Sequence, residues 1–180
     1  MNYYNFVDRP SKQRIKEIAD EFNLTVEPDS VDLYLKFQLI YREIEKEYNL
    51  LFEKFNLSES RFTILMFLFY AKNKQLLPSE IANKLGVARP TISKMLKGMR
   101  EQGLVERQAA LDDKRVTYIQ ITTKGEGILK TFLPYNYQAV SLLFEDFSTV
   151  EKEQFNFLLV KLLKGKDKFK KMEEKSNAKR

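Results

Sequence analysis

The side chains able to do chemistry in this sequence are cations, carboxylates and hydroxyls; imidazole and thiol are both missing. Across 180 residues there are 31 Lys and Arg and 25 Asp and Glu, but no His and no Cys. Without Cys there is no disulfide, no thiolate nucleophile and no thiol redox sensor. Without His the commonest general base and the commonest transition-metal ligand are gone. A Ser–His, Cys–His or zinc mechanism is therefore closed to this chain. The carboxylates could bind a hard cation, yet none falls in a Gly-bearing calcium-loop pattern. No catalytic nucleophile or base motif is assembled from what remains, so the chain is expected not to be an enzyme and to need no cofactor. The cations are the more informative group. Acids outnumber bases up to Ser60, whereas bases dominate from Arg89 onward, for a net charge of +6. Such asymmetry suits a polyanionic partner for the later part of the chain, although a solvated basic surface has the same composition.

The elements that must position these cations can be read from period and punctuation. Residues 1–10 carry little pattern. Ser11 can cap a short helix with Ile15, Ile18, Ala19 and Phe22 on one face, and residues 23–30, with Pro28, are expected to break it. A long helix is predicted over residues 31–55, with an apolar seam of Tyr34, Phe37, Tyr41, Ile44, Tyr48, Leu51 and Phe55. Intrachain core accounts for this seam as well as a dimer contact does. Ser58 is a good N-cap for a largely apolar helix over residues 59–73, expected to be central and buried, with Leu57 and Phe62 placed for a hydrophobic staple.

Two short helices follow. Pro78 suits a first helical turn, and Ser79-Glu80 add an acid there; Ile81, Ala82 and Leu85 lead to a stop at Gly86. The second opens at Arg89-Pro90, carries Ile92, Met95, Leu96 and Met99, and closes at Gly103. The pair reads as a helix-turn-helix. After Gly103 the period changes to two: residues 104–108 and 116–121 alternate as paired strands around a polar tip that holds Asp113, Lys114 and Arg115. Thr123-Lys124-Gly125-Glu126 has capping-box spacing and starts another helix, which Pro134 should kink or interrupt. Ser148-Thr149-Val150-Glu151 is a second capping box before a last helix carrying Phe155, Leu158, Leu159, Leu162 and Leu163. Beyond Lys164 the mostly charged tail is expected to fray.

The order of these elements and their residues resembles the MarR family of bacterial regulators. The matching pieces are Pro78-Ser79-Glu80-Ile81-Ala82, Leu85-Gly86-Val87, Thr91-Ile92-Ser93-Lys94 with Leu96, and Glu101 with Gly103-Leu104-Val105-Glu106-Arg107. The wing's Asp113-Lys114-Arg115 and the closing Ile121-Thr122-Thr123-Lys124-Gly125 complete the set. All lie in register between about residues 58 and 130. Leu77 stands where many members have a capping Ser or Thr, and Ala88 where many have Ser; the departures touch cap or phosphate contacts, not the fold. The fold class implied is mainly α with a small β-hairpin wing (α+β), a winged helix-turn-helix flanked by N- and C-terminal dimerisation helices. The expected divisions are an extension with a short helix (1–30), a helical dimerisation region (31–57 and 123–164), the DNA-binding domain (58–122) and a charged tail (165–180).

The resemblance implies that the helix from Arg89 enters the major groove of double-stranded DNA. Its apolar positions then face the core, leaving Arg89, Thr91, Ser93 and Lys94 at the groove-facing end. Arg89 can donate two hydrogen bonds to guanine, and Thr91 can meet a thymine methyl or a phosphate. Lys94 and Lys97 are assigned to phosphate contacts, which add affinity without sequence preference; Ser79, at the start of the preceding helix, joins the DNA-binding set. Thr91 as a helix cap and Lys97 as a solvated lysine are the competing roles. Arg115 resembles the family's minor-groove arginine, with Asp113 orienting its guanidinium and Lys114 on the backbone. A local Asp–Arg pair that stabilises the hairpin is the plainer role.

The family arrangement further implies a homodimer on an inverted-repeat operator, acting as a repressor, with a small aromatic or lipophilic effector as one mode of release. The alternative is a winged-helix scaffold or plasmid-maintenance module without ligand response. The longest apolar run, residues 64–70, falls far short of the ~18 residues a membrane span needs. The first residues lack a secretion signal's basic head and apolar middle. A cytoplasmic protein without a membrane partner is expected.

Overall fold

Prolines that start helices and glycines that end them set the rhythm of the chain. The computed structural model describes residues 9–110 and 116–177. Seven helices and three strands succeed one another among them: α1 (Lys12–Glu21), α2 (Pro28–Lys54), α3 (Glu59–Tyr70), β1 (Gln75–Leu76), α4 (Pro78–Leu85), α5 (Arg89–Glu101), β2 (Val105–Ala109), β3 (Thr117–Ile121), α6 (Thr123–Leu143) and α7 (Thr149–Asn177). This is the α+β winged-helix class expected from the sequence. The chain divides into two compact units, Met1–Gly125 and Glu126–Arg180, and the boundary falls in the first turn of α6.

In the first unit, Ser11 caps α1 as expected, its Oγ accepting from the Arg14 N–H at 3.2 Å. The helix buries Ile15 and Ala19 and packs on α2. An ion pair from Lys12 to Asp29 joins the two and holds the Lys12 ammonium above its ordinary pKa. α2 begins earlier than expected: Pro28 is its first residue, not part of the break. A proline at the first helical position loses no hydrogen bond, because that N–H has no partner in a helix anyway. Ser58 caps α3 by accepting from the Arg61 N–H at 3.4 Å. That helix stops at Tyr70, three residues short of the expected end, where a 3-10 turn with Asn73 in the left-handed region (φ 55°) redirects the chain.

The turn leads into a strand that the sequence pattern does not reveal. β1 pairs antiparallel with β3, setting Gln75 opposite Gln120 and Leu76 opposite Ile119. β3 is therefore central in the order β1-β3-β2, and β2 pairs along it from Val105–Ile121 to Ala109–Thr117. The core lies between sheet and helices: Ile64, Leu65 and Leu68 of α3, Ile81 of α4, Ile92, Leu96 and Met99 of α5, and Leu104, Val105, Ile119 and Ile121 are all buried. α3 is central and buried, as expected of its run of apolar residues.

The second unit is two long helices. Pro134 lies inside α6, which continues through it to Leu143. Ser148 and Glu151 form the expected reciprocal cap of α7: Ser148 N–H donates to Glu151 Oε2 at 2.8 Å, and the Glu151 N–H donates back to Ser148 Oγ at 3.3 Å. The Ser148 hydroxyl and N–H hold the Glu151 carboxyl below the ordinary glutamate range. Phe144, Phe147 and Phe155 close the corner, with ring centroids 5.5–6.2 Å apart. The expected fraying beyond Lys164 is not found, because α7 runs unbroken to Asn177. The tail's Lys, Glu and Met are all good helix formers, so charge alone does not end it. No helix among the described residues is long and apolar enough to cross a membrane.

Candidate nucleic-acid interface

The helix-turn-helix is built by three local devices. Glu80 Oε2 accepts from the Leu77 N–H at 2.7 Å, closing the start of α4, while the Leu77 side chain offers no acceptor of its own. Gly86 ends α4 in the left-handed region (φ 66°), and Val87 N–H returns to the Ala82 carbonyl at 3.1 Å. This is a glycine-terminated helix end, open to a residue without a Cβ. Ala88 then takes the N-cap position of α5 with no side-chain hydrogen bond, and Pro90 lies in the first turn. The N–H groups at the start of α5 thus have no side-chain acceptor from the cap residue, leaving a helix N-terminus suited to an anion.

Along α5 the period of 3.6 separates two faces. Ile92, Leu96 and Met99 are buried and Met95 half-buried, so the expected core face holds. Arg89, Thr91, Ser93, Lys94 and Lys97 are all exposed. They do not form one cluster. Arg89 and Ser93 turn towards α4, where with Leu77, Pro78, half-buried Ser79 and Ile92 they line an open depression of about 330 Å³. By helical spacing Lys94 and Lys97 lie on the side opposite the core stripe, with Thr91 at its margin. Lys97 shares its charge with Glu101, Nζ to Oε1 being 3.9 Å, an exposed pair that constrains it little.

The wing strands bring their ends together, Ala110 N–H donating to the Val116 carbonyl at 2.9 Å. Between these two residues the tip carries Asp113, Lys114 and Arg115, which lie outside the described residues.

The C-terminal end of α5 is held by contacts for which the sequence reading assigned no role. Gly103 (φ 70°) follows the helix, and Thr122 Oγ1 donates to the Gly103 carbonyl at 2.7 Å while accepting from the Gly125 N–H at 3.1 Å. Lys124 Nζ donates to the Gln102 carbonyl at 2.7 Å, placing a cation on the negative end of α5. The cap of α6 is therefore Thr122, one residue before the expected Thr123. The reason is that Thr122, not Thr123, faces the Gly103-Leu104 carbonyls. Gly125 is obligatory at this joint: a Cβ there would stand 2.3 Å from the Leu104 carbonyl oxygen. The sequence signal was present as Thr122-Thr123-Lys124-Gly125, but two adjacent threonines do not say which one caps.

Residues 55–116 match the family model described as MarR family. The chain is 33% identical over 161 residues to the HTH-type transcriptional repressor YetL of Bacillus subtilis, covering 89% of this chain and 96% of that protein. It is 30% identical over 111 residues to the transcriptional repressor MprA of Escherichia coli, covering 62% of this chain and 63% of MprA. Among solved structures it resembles the Staphylococcus aureus MepR–DNA complex with a TM-score of 0.64 at 26% identity, over 73% of this chain and 96% of MepR. AbsC, a MarR family transcriptional regulator from Streptomyces coelicolor, shares the fold with a TM-score of 0.67 at 16% identity, over 78% of this chain and 98% of AbsC.

Proposed function

Since this chain belongs to the MarR family, we propose that it is a transcriptional repressor that acts as a two-fold dimer, each protomer laying α5 in the major groove of one half of an inverted-repeat operator. The chain is a sequence-specific DNA-binding regulator and not an enzyme. The observation that carries the finer reading is the division of α5: a buried apolar stripe on one side, and on the other a free helix start flanked by Arg89, Thr91, Ser93 and Lys94. Arg89, beside Ser79 and Ser93, is the base reader, because a guanidinium can donate to both acceptors of a guanine edge. Thr91 and Ser93 complete the groove contacts, and Lys94 and Lys97 meet phosphates. Arg115 enters the minor groove from the wing, oriented by Asp113, with Lys114 on the backbone.

The dimer rests on apolar surface left uncovered in the single chain. Leu33, Tyr34, Ile40 and Tyr41 of α2 and Phe157, Leu158, Leu162 and Leu163 of α7 are all exposed. Apolar area of this extent is rare on a monomer and common at a protein interface. An effector site has a narrower footing, a depression of about 380 Å³ on α2 lined by Tyr34, Phe37, Gln38, Tyr41, Arg42 and Glu45, whose rings suit a small aromatic or lipophilic molecule. The protein acts in the cytoplasm, where its operator lies.

Selecting bound duplexes from a random library tests this directly. The expected product is an inverted repeat whose half-sites are centred about one helical turn, ~10 base pairs, apart. Enrichment of no sequence overturns the regulator reading, and enrichment of a lone half-site overturns the dimer.

A further inference from the structure

The unbroken course of α7 to Asn177 turns a charged tail into an ordered surface. Lys161, Lys164, Lys168, Lys171 and Lys175 follow one another at intervals of three and four residues. On a helix of 3.6 residues per turn that spacing stacks all five on one side. All five are exposed, and none is in an ion pair among the described residues. Asp167, three residues after Lys164 and four before Lys171, flanks the stripe, and Glu174 is taken up by Lys170 at 3.9 Å, so along this side lysines outnumber the carboxylates beside them. Lysines three and four apart repel one another, and a partner carrying regularly spaced negative charge relieves that repulsion.

We propose that this lysine stripe is a second DNA-binding surface, one that follows the phosphate backbone of the duplex flanking the operator without reading its bases. The inference rests on the regulator reading above. From Lys161 to Lys175 the stripe is about 21 Å long at a rise of about 1.5 Å per residue, the length of roughly six base pairs at about 3.4 Å each. Lysine is a point charge on a flexible stem, suited to phosphate and poorly suited to a base edge. A membrane surface is the less favoured polyanion. Beyond Lys164 the helix offers only Phe169 and Met172 as large apolar side chains, too little for a helix that buries one face among lipids.

The test replaces all five lysines by glutamine, which keeps helix propensity and removes charge. A control carries the same loss of charge on α1 and α2, at Lys12, Lys16, Lys36, Lys46 and Lys54. Binding is measured as a function of salt on the selected operator alone, on the operator with about ten random base pairs added at each end, and on a random duplex of the longer length. For the native chain the flanks should raise affinity about tenfold or more at low salt and steepen the salt slope by about 0.9 for each lysine engaged. The stripe variant should lose the flank effect and flatten the slope on the random duplex by three or more, while binding the bare operator as before. The control should keep both. A native chain indifferent to flanks, a variant that keeps the gain, or a control that loses it equally would each overturn the stripe. So would capture of the native chain by vesicles of one-third anionic lipid in the absence of a flank effect. Failure of the regulator reading is separate: the native chain would then not prefer the operator over the random duplex.

Discussion

Two glycines near the start of α6, two residues apart, should respond to the same substitution with opposite signs. A Cβ at Gly127 meets nothing within 4 Å, and the residue is exposed. Gly127→Ala should therefore gain the ordinary helical preference of alanine over glycine, about 0.5–1 kcal/mol. Gly125→Ala gains the same preference but sets its Cβ 2.3 Å from the Leu104 carbonyl oxygen and 2.8 Å from Ile121 Cγ1. Carbon–oxygen contacts of this kind normally lie at about 3.3–3.6 Å, so roughly 1 Å must be opened. The obstructing atom is backbone, and it already accepts from the Thr122 N–H at 3.1 Å. Overpacking costs about 1–3 kcal/mol, and loss of one hydrogen bond adds about 1 kcal/mol. After the propensity gain, the net loss for Gly125→Ala is about 1–3.5 kcal/mol. At roughly 2–4 °C per kcal/mol for a chain of this size, Gly127→Ala should raise Tm by about 1–4 °C and Gly125→Ala should lower it by about 2–14 °C. Calorimetry at one fixed protomer concentration reads both, because association would shift Tm on its own. If the two variants melt together, or if Gly125→Ala melts higher than the native chain, the steric account of the α5–α6 joint is wrong.

Other substitutions probe the interface and the caps. Arg89→Ala should relax base preference at one position of each half-site, with discrimination there falling by about 1–3 kcal/mol in competition binding; an unchanged preference removes Arg89 as a reader. Arg115→Ala should weaken operator binding while leaving Tm unchanged, and retained affinity at normal Tm would leave the wing arginine without a DNA role. Lys94→Gln should lower the salt slope by about 0.9 per protomer engaged without altering the selected sequence. The Glu151 carboxyl titrates below its ordinary range when folded, so its contribution to stability is full above the unfolded value and fades as pH falls through the folded one. Ser148→Ala removes the hydroxyl but keeps the backbone N–H donor, so it should reduce that acid-side loss, seen as a smaller difference in α7 helicity between neutral and acidic pH by circular dichroism.

The readable part of the fold was the part written in punctuation. Pro78, Gly86, Pro90 and Gly103 each fix a backbone state, and between them the 3.6 period names Ile92, Leu96 and Met99 as core. The reading failed where one residue type serves two ends. Proline stops helices, so Pro28 reads as a breaker, yet at a first position it starts one as readily. β1 has two residues and so no period at all; only its pairing with β3 makes it a strand. The charge of the tail measures its solubility, whereas its helix propensity decides whether α7 continues. At the site, the sequence separated inward from outward on α5. It could not foresee that Arg89 and Ser93 turn to Ser79, which depends on a neighbour brought near by folding, whereas the Lys97–Glu101 pair is four residues apart on one helix and was legible in the spacing.

The order of the small sheet has a further consequence. With β3 in the middle, β2 is left as an open edge, and an open edge is a template on which another chain can build. Here the strand is five residues long and exposes Glu106, Arg107 and Gln108 in succession. Shortness and charge both discourage a foreign strand from adding on. The opposite edge is shorter still, since β1 offers two residues. Neither edge of the sheet is thus a ready seed for aggregation.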